Sequence, residues 1–588
     1  MPLTARQRSI HNKNGAKRSA SMSKGKRTRK SSEGEYLVSS APTDLRSISY
    51  PGGAVALALL LTARLISAYW GHIADCDETY NYWEPLHYLV YGSGLQTWEY
   101  SPVYAIRSYM PLWLFAVPAK VLAIFMAPVT VFYAIRVMLS ALTACAELMF
   151  YKAVCHEFGV HVGRVWLCLT LPAAGNFASS AAMLPSAWSS ALVSAALASW
   201  WRRRYAAAVM FTAVTSLLSW PFTALLGLPI AIDMLILKKQ FKEFFKWSII
   251  ALLLILLPTI AVDSWHYGRL VVAPWNIVAY NIFTEHGPDL YGVEPWTYYF
   301  VNGFLNFNAV WVLALCCPLL LASCHVIVRS TARAPFCTPY WLSLMPLALW
   351  LAVFMAQPHK EERFLYPVYS MIVLSGAISL DCVQKMTFAV GSELLRVYRS
   401  RHYLAHTTPL VVAVVLVGGA ASLSRIAALY HHYHGPMAIL RHLPPTDTTT
   451  YVCFGKEWYR SPSSFHLPPN YHIRFVASEF GGQLPAPYSE ASNATRLIHP
   501  YFNDLNKGNN STYLQPSKCN YLVDSDIGQA TELQPFYHTD TKNWEISSSV
   551  HILDASKSNK VFRAFYVPGL SYKYVVYANL YLLKNINI

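Results

Sequence analysis

Three acidic residues lie close together near the start of residues 71–109, directly after the first long apolar run of the chain. They are Asp75, Asp77 and Glu78, and Arg107 lies near the end of the same segment. A carboxylate within reach of a hydroxyl group accepts its proton as the hydroxyl attacks, and a guanidinium binds carboxylates and phosphates. This segment therefore has the residue types for general base catalysis on a substrate that carries an anion.

A second group of ionisable residues lies in residues 357–364, between two later apolar runs. Its members are His359, Lys360, Glu361, Glu362 and Arg363. One interpretation is a charged turn that anchors two helix ends. The other is a phosphate site in which the three basic side chains donate and an acid, Glu361 or Glu362, orients them.

Aromatic, amide and acidic side chains add candidate contacts to a sugar. The candidates are Tyr80, Trp83 and Glu99 in the first segment, and Asn281, His286, Tyr291 and Trp296 in a third segment, 274–299. For the third segment, an interfacial helix with its Trp and Tyr at headgroup level is an equally good interpretation. Residues 79–91 place apolar and aromatic side chains on one helical face, which predicts a helix along the membrane.

The composition shows which kind of chain positions these segments. Hydrophobic residues make up 54% and charged residues 13% of the sequence, and the mean hydropathy is +0.28. Soluble globular proteins carry about 25% charged residues. Aromatic residues reach 14%, and Trp and Tyr favour the membrane interface. We therefore predict a multi-span α-helical membrane protein.

Lys and Arg next to membrane spans stay on the cytosolic side, which sets the predicted topology. The sequence predicts about eleven spans, at 53–70, 111–127, 131–151, 165–201, 205–221, 222–237, 247–262, 306–328, 339–356, 365–380 and 404–423. Residues 165–201 are expected to cross once as a broken segment, because prolines interrupt them. Segments 71–109, 263–305 and 357–364 then face the lumen, and residues 51–424 form the membrane domain.

Residues 1–50 hold much of the net charge of +16, with eleven Lys and Arg against three acids. Their Ser and Gly content and lack of apolar periodicity predict a disordered cytosolic tail. Nucleic-acid binding is a poor fit beside so many spans, and a topology signal near anionic lipid fits better. The first apolar run begins too late for a cleaved signal peptide.

Residues 425–588 change in character and predict a soluble lumenal domain of mixed α/β structure. Alternating stretches at 471–476, 521–523 and 572–577 predict strands. Three glycosylation sequons, at Asn493, Asn509 and Asn510, all fall here and agree with a lumenal position. An oxidising lumen would also permit a disulfide between Cys453 and Cys519.

Several motifs carry a resemblance to a known family. They are ADCDETYNYWEP at 74–85, QTWEYSPVYAIRSY at 96–109, PWNIVAYN at 274–281, DLYGVEPW at 289–296 and HKEERFLYPVY at 359–369. In this order the motifs resemble the family 22 glycosyltransferases of the endoplasmic reticulum. The resemblance covers residues 50–588 and leaves out the basic tail.

The resemblance implies a GT-C type integral membrane enzyme of the endoplasmic reticulum. Its donor would be dolichyl phosphate mannose and its acceptor a dolichyl-diphosphate-linked oligosaccharide, with inversion and without a metal or other cofactor. The Asp75-Cys-Asp-Glu78 motif favours the branch that adds α-1,2-linked mannose to the N-glycan precursor, because enzymes acting on glycolipid anchors carry His-Pro-Asp-Glu there. A sister enzyme, forming an α-1,6 bond or acting on GPI anchors, is the alternative.

Inversion by direct displacement needs one carboxylate to take the proton of the acceptor hydroxyl. Asp77 and Glu78 are the candidates for this base, with Asp77 ahead, and Asp75 is expected to bind sugar. The leaving group is a phosphate ester, which needs positive charge rather than protonation. The expected donors of that charge are Arg107, His359, Lys360 and Arg363.

A lipid or sugar transporter is the alternative from another class. It would place ionisable groups near the membrane midplane, usually in two matching halves. This chain keeps them in lumenal segments and shows no paired halves. The expected partners are therefore the two dolichol-linked substrates and membrane lipid, and the sequence carries no signal for an oligomeric state.

Overall fold

The structure is a computed structural model that describes residues 49–284, 288–328, 338–394 and 402–588. The predicted tail, up to residue 48, lies outside the described residues, and so does His286.

Most of the described chain is helical. The α-helices are α1 (Gly53–Trp70), α2 (Cys76–Glu78), α3 (Glu84–Tyr91), α4 (Met110–Ala123), α5 (Pro128–Glu157), α6 (Val160–Thr170), α7 (Ala174–Ser180), α8 (Pro185–Trp201), α9 (Tyr205–Val214), α10 (Ala224–Ile232), α11 (Phe241–Ala251), α12 (Leu257–Tyr267), α13 (Ala273–Phe283), α14 (Tyr298–Phe307), α15 (Ala309–Val328), α16 (Tyr340–Ala356), α17 (Tyr369–Ala389), α18 (Leu404–Tyr433), α19 (Gly435–Ile439) and α20 (Lys560–Ala564).

Every predicted span coincides with an apolar helix or helix pair. Among the described residues, six helices are long and apolar enough to cross a membrane, and a bent pair, α7 with α8, makes a seventh candidate. Shorter apolar helices occupy the other four positions, at 110–123, 205–219, 221–237 and 340–356. The helical membrane body is therefore confirmed, and the number of eleven crossings stays a prediction.

The predicted break within residues 165–201 is present. The helix pair α7 and α8 is bent by 110° between Ser180 and Pro185. Pro172 lies between α6 and α7, and Pro185 is the first residue of α8. Proline lacks an N–H and clashes with the preceding turn, so it favours helix starts and breaks helix interiors. The sequence therefore decided where this segment bends.

Charged residues inside the membrane body face other helices. Arg64 on α1 forms a bidentate pair with Glu147 on α5, at 2.8 and 2.9 Å, and also donates to the carbonyl of Thr170 at 3.1 Å. Both side chains are almost fully buried. The prediction that the helix at 131–151 packs against other helices rather than lipid is confirmed, because ionisable groups in a bilayer need such partners.

The C-terminal segment folds around a five-stranded sheet. Its strands are β2 (Thr450–Phe454), β3 (Tyr471–Phe475), β5 (Tyr521–Ser525), β6 (Trp544–Leu553) and β7 (Tyr577–Asn585), in the order β3-β2-β5-β7-β6. The strand β2 runs parallel to β3 and β5, whereas β7 is antiparallel to β5 and β6. A disulfide joins Cys453 to Cys519, with the Cα atoms 5.9 Å apart. The predicted strands at 471 and 521 are confirmed.

Two predictions in this region need correction. Residues 571–573 form a 3₁₀ turn instead of a strand, because the N–H groups of Lys573 and Tyr574 bond locally to the carbonyls of Leu570 and Ser571. The strand β7 begins only at Tyr577. The predicted boundary after residue 424 also falls inside a helix, since α18 continues to Tyr433.

A two-stranded sheet attaches this C-terminal unit to segment 71–109. Its strands are β1 (Leu95–Gln96) and β4 (Ala486–Pro487), which pair antiparallel. Tyr80 and Leu95 also join the apolar core beneath the larger sheet. The segment that carries the candidate acids is thus packed between the helical body and the C-terminal unit.

Candidate functional site

The candidate acids lie at the N-terminus of a helical segment that runs from Cys76 to Tyr91. It consists of α2, a π-helical turn (Thr79–Trp83) and α3, and it ends at Gly92 in the left-handed region at φ +79°. Asp75 caps the segment, because its Oδ1 accepts a hydrogen bond from the N–H of Asp77 at 2.9 Å. The helix predicted over 79–91 is confirmed and begins three residues earlier. Carboxylates at this end are favoured by the helix dipole.

Arg363 joins the two ionisable segments that the sequence singled out. Its guanidinium contacts Oδ2 of Asp75 at 3.2 Å, Oδ2 of Asp77 at 2.8 Å, and the carboxylate of Glu361. We call these four residues the carboxylate cluster. The side chains of Asp77 and Asp75 are 32% and 25% exposed, so both acids remain accessible. The predicted convergence of the two segments is present.

His359 extends the carboxylate cluster toward the third segment. One ring nitrogen, Nε2, lies 3.1 Å from Oε1 of Glu361, and Nδ1 donates to the carbonyl of Gly292 at 2.7 Å. Although burial opposes ionisation, Arg363 and His359 lower the pKa of Glu361 to about 2. Burial likewise opposes the charge on His359, but Glu361 and the carbonyl raise its pKa above the ordinary value. Each side chain therefore favours the charged form of the other.

Lys360 and Glu362 are occupied by contacts within the protein. The ammonium of Lys360 is buried and donates to the carbonyls of Glu294, at 3.1 Å, and Gln357. The carboxylate of Glu362 accepts from Nδ2 of Asn302 at 2.9 Å. These contacts fix segment 357–364 against the third segment, and they use two of the three N–H donors of Lys360.

Glu78 is far less accessible than Asp77. Only 2% of the residue is exposed, and Oε1 accepts from the indole N–H of Trp83 and the N–H of Met183, each at 3.0 Å. Burial raises the pKa of Glu78 above its ordinary value, against the opposing effect of Arg136. The carboxylate of Glu78 is therefore held by contacts within the protein and has little access to solvent.

Tyr80 and Trp83 face the protein interior. Trp83 is fully buried and packs on Phe132, with ring centroids 4.3 Å apart. Tyr80 is 4% exposed and donates its hydroxyl to the carbonyl of Trp458 in the C-terminal unit at 2.5 Å. In this structure neither side chain reaches a surface that a sugar could contact, and both hold the helical segment in place.

Glu99 and Arg107 form a second ion pair near the acids. Arg107 contacts the carboxylate of Glu99, and its Nη1 donates to the hydroxyl of Tyr82 at 2.7 Å. Arg107 also borders a largely apolar cleft. Residues lining that cleft include Leu112, Trp188, Leu217, Leu218, Pro221 and Ile277. A cation at the mouth of an apolar cleft suits a lipid with an anionic head.

The other sugar candidates lie at differing distances from the acids. Tyr291 is exposed at 44%, and desolvation of its hydroxyl with the charges of Glu99 and Asp77 raises its pKa. Trp296 is 70% exposed and packs on Phe300. The amide of Asn281 donates to the carbonyl of Ile277, within its own helix. Tyr291 is therefore the third-segment candidate that the structure places nearest to the carboxylate cluster.

Asp75, Cys76 and Asp77 also have the spacing of a metal site, with ligand atoms within 4.8 Å of one another. Arg363 already supplies positive charge to both carboxylates at hydrogen-bonding distance. A divalent cation at the same oxygens would meet electrostatic repulsion from this guanidinium. The site geometry therefore fits an ion-paired cluster better than a metal centre.

Comparison with known proteins identifies the family to which the site belongs. The profile of the Alg9-like mannosyltransferase family matches residues 55–468. This range includes the carboxylate cluster, Glu78, Arg107 and the apolar cleft. The chain belongs to the Alg9-like mannosyltransferase family.

Curated relatives extend this similarity beyond the family profile. Alpha-1,2-mannosyltransferase ALG9 of Homo sapiens is 46% identical, over 91% of this chain and 89% of its own length. Alpha-1,2-mannosyltransferase Alg9 of Drosophila melanogaster is 45% identical, over 91% and 88%. Among solved structures, ArnT from Cupriavidus metallidurans bound to undecaprenyl phosphate aligns with a TM-score of 0.49 and 13% identity, covering 72% of this chain and 86% of ArnT.

Membership of the Alg9-like family makes this protein an enzyme, a membrane-embedded α-1,2-mannosyltransferase. Similarity to an enzyme of the glycolipid-anchor branch is weaker. GPI mannosyltransferase 3 of Drosophila melanogaster is 25% identical, over 72% of this chain. The transporter alternative and the anchor alternative are therefore both disfavoured, in agreement with the Asp75-Cys-Asp-Glu78 motif.

Sequence reasoning missed several residues that support the site. Glu84 is fully buried and accepts three bonds, from the N–H and hydroxyl of Ser464 and the N–H of Leu95, at 2.6, 2.9 and 3.0 Å. Burial raises the pKa of Glu84 to about 7. Met183 and Asn302 hold Glu78 and Glu362 by a backbone N–H and an amide. Glu84 could have been found from the sequence, because it is an acid within a family motif. The N–H of Met183 could not, because a backbone group leaves no mark in the sequence.

Proposed function

We propose that this mannosyltransferase acts in the endoplasmic reticulum membrane as a GT-C type enzyme. It would transfer mannose from dolichyl phosphate mannose to a dolichyl-diphosphate-linked oligosaccharide, with inversion. The observation that carries the proposal is the contact of Arg363 with Asp75 and Asp77, because it brings a candidate base and the basic segment 357–364 to one place. The acceptor class follows from the relatives and from the motif at 75–78.

Asp77 is the base in this proposal. Its side chain is 32% exposed, whereas Glu78 is 2% exposed and bound by Trp83 and Met183. A base must reach the acceptor hydroxyl within about 3 Å in the reacting complex. Arg363 orients the Asp77 carboxylate before substrate arrives, which reduces the loss of freedom on binding.

Asp75 has a different part in the proposed mechanism. Burial and the charges of Asp77 and Glu361 raise the pKa of Asp75 to about 7, although Arg363 opposes the shift. A carboxyl group with this pKa is partly protonated at neutral pH. It can donate a hydrogen bond to a sugar oxygen as well as accept one, which suits substrate binding better than proton removal.

The donor lipid is proposed to occupy the apolar cleft beside Arg107. Leu217, Leu218 and Trp188 provide the apolar wall, and Arg107 lies where the isoprenoid chain would meet its phosphate. As the bond to mannose breaks, negative charge grows on the departing phosphate, and a positioned guanidinium stabilises it. This step needs neither proton donation to the leaving group nor a metal ion.

The sequons support a lumenal position for the C-terminal unit, because Asn493, Asn509 and Asn510 are all exposed. Only lumenal sequons receive glycans. The basic tail would then be cytosolic and the carboxylate cluster lumenal.

Reconstitution tests the proposed reaction directly. The purified chain, in vesicles with dolichyl phosphate mannose and defined lipid-linked oligosaccharides, should yield a product with one new α-1,2-linked mannose. Linkage analysis should find inversion at the transferred carbon, and a chelator should leave the rate unchanged. An α-1,6 product, transfer only to a glycolipid anchor, or loss of transfer with the chelator would contradict the corresponding part of the proposal.

A further inference from the structure

The cations that the sequence assigned to phosphate binding already have partners within the protein. Arg363 and Arg107 are paired with carboxylates, and Lys360 donates to backbone carbonyls. His359 lies between Glu361 and the carbonyl of Gly292. A second phosphate at these side chains, besides that of the donor at Arg107, would compete with existing contacts. Basic side chains with unpartnered polar atoms are better placed to bind an additional anion, and the structure gathers them elsewhere.

A second group of basic side chains lies next to the end of α1 and the extended residues that follow it. We call it the cation cluster. Its members are His72, Arg136, Arg425, His434, Arg441 and His466, which come from the ends of α1 and α18, from α5 and from the C-terminal unit. They are close enough for the charges of Arg136 and His434 to act on both His72 and His466.

Two members of the cation cluster are buried and lack partners for polar atoms. Arg136 is 2% exposed, and its Nε and Nη1 have no hydrogen-bond partner among the described residues. Only its Nη2 is used, donating to the carbonyls of Ser67 and Gly71 at 3.3 and 3.0 Å. His466 is 5% exposed, and neither ring nitrogen is partnered within the described part of the chain. Buried donors of this kind are costly unless a ligand satisfies them.

Basic groups dominate the electrostatic field at the histidines of the cation cluster. Every charged group that acts on His72, His434 and His466 is basic. Burial and these charges lower the pKa of His72 and His466 to about 3 and that of His434 to about 4. Glu78 acts on Arg136, but its carboxylate bonds to Trp83 and Met183 instead.

The position of the cation cluster matches a lipid headgroup. α1 ends at Trp70 and α18 ends at Tyr433, and both are candidate membrane spans. Exposed aromatic rings surround these ends, with Trp70 packed on Tyr430 at 5.7 Å and Tyr433 stacked on His72 at 5.4 Å. Trp and Tyr collect at the membrane interface, where lipid phosphates lie. An anion bound here would be carried by a lipid.

We propose that the cation cluster binds the phosphate or diphosphate group of a polyprenyl-linked substrate. The inference rests on the proposed function, which supplies two such lipids, a phosphate diester as donor and a diphosphate as acceptor. His72 lies three residues before Asp75 along an extended stretch, and each such residue spans about 3.4 Å, so the backbones of these two residues are at most about 10 Å apart. The same short stretch of chain therefore links the two clusters.

Steady-state kinetics of two full-length variants test the proposal. His466→Phe removes both ring nitrogens and keeps the ring that packs on Phe132. Arg136→Gln removes the charge and retains an amide for the carbonyls of Ser67 and Gly71. Because a hydrogen bond to a charged group is worth roughly a tenfold change or more in binding, each variant should raise one KM about tenfold and change kcat less. The donor and the acceptor are varied in separate series.

The two series identify the lipid. A raised KM for dolichyl phosphate mannose, with weaker competitive inhibition by dolichyl phosphate, places the donor phosphate at the cation cluster instead of beside Arg107. A raised KM for the dolichyl-diphosphate oligosaccharide alone places the acceptor there. Unchanged KM values in both series overturn the proposal, provided that the variants retain the wild-type melting temperature.

A matched control separates this result from general effects of removing a histidine. His499→Phe also exchanges a half-buried imidazole, in the C-terminal unit, where the ring packs on Phe502. It should leave both KM values unchanged, and an equal rise in this variant would overturn the assignment. If the wild type itself transfers no mannose, the proposed function fails instead, so the two failures are distinguishable.

Discussion

The carboxylate cluster and the cation cluster both adjoin residues 71–75, but they differ in how their polar side chains are partnered. In the carboxylate cluster, one guanidinium contacts three acids, and each charge has a partner. In the cation cluster, Arg136 and His466 keep unpartnered donors, and the charges acting on the histidines have the same sign.

This difference shows that a dense group of ionisable residues does not reveal which ligand it binds. Side chains that contact one another, as in the carboxylate cluster, are held in position before substrate arrives. Buried donors without partners, as in the cation cluster, carry a cost that an anion relieves. Contact between opposite charges, rather than the number of charged residues, therefore separates the proposed catalytic group from the proposed binding group.

Removing the proposed base should give the largest effect. Asp77→Asn keeps the shape of the side chain and removes its ability to take a proton, so kcat should fall about 10²-fold or more with little change in donor KM. Initial rates with saturating acceptor measure this. Glu532→Gln, an exposed acid in the C-terminal unit, is the matched control. Full activity in Asp77→Asn would transfer the role of base to another acid.

Removing the central cation of the carboxylate cluster should have the next largest effect. Arg363→Ala leaves Asp75, Asp77 and Glu361 without their shared partner, so we expect kcat to fall about 10- to 100-fold, the scale for losing charge-assisted contacts. Arg363→Lys should restore part of the rate because it restores the charge without the bidentate geometry. Equal activities of the Ala variant and the wild type would show that segment 357–364 is only a structural turn.

The cation cluster should make stability sensitive to acid. The pKa of His466 is about 3 in the folded protein and ordinarily about 6.5, so its stabilising contribution is present above pH 6.5 and declines as the pH falls toward 3. Between pH 7 and pH 5 the wild type should lose about 2 kcal/mol relative to His466→Phe. Melting temperatures at both pH values measure this. A constant difference between wild type and variant would contradict the prediction.

A soluble anion should give the smallest effect. Inorganic pyrophosphate at about ten times its Kd should stabilise the folded protein by about 1.4 kcal/mol, which raises the melting temperature by about 1 to 3 °C. Arg136→Gln should lose this increase, whereas Arg363→Lys should keep it. If Arg363→Lys loses the increase and Arg136→Gln keeps it, the anion binds at the carboxylate cluster and the contrast between the clusters is wrong.

Much of the fold could be predicted because membrane helices depend on local composition. The first span, at 53–70, coincides with α1, and the break near Pro172 and Pro185 follows from the backbone of proline. The strand at 471–475 was predicted from its alternation. Residues 572–576 have an alternating pattern as well, but they do not form a strand. Local backbone hydrogen bonds after Gly569 form a turn there instead of a sheet.

The candidate site was predictable in part. The residue types within the motifs made Asp75, Asp77 and Arg363 candidates for the site, and the structure places Arg363 in contact with both acids. Residue type did not distinguish accessible Asp77 from buried Glu78, although the two are adjacent in the sequence. It also grouped Lys360 with Arg363, although their side chains have different partners.

The sequence by itself determined a helical membrane body, its two segments of ionisable residues and its family motifs, because apolar runs, prolines and short motifs are local features of the chain. Tertiary structure alone decided which charges are compensated, since Arg363 meets Asp77 across 286 residues and His466 approaches Arg136 across 330. Partners so distant along the chain are chosen by packing, and a charge acts chemically according to its neighbours in space.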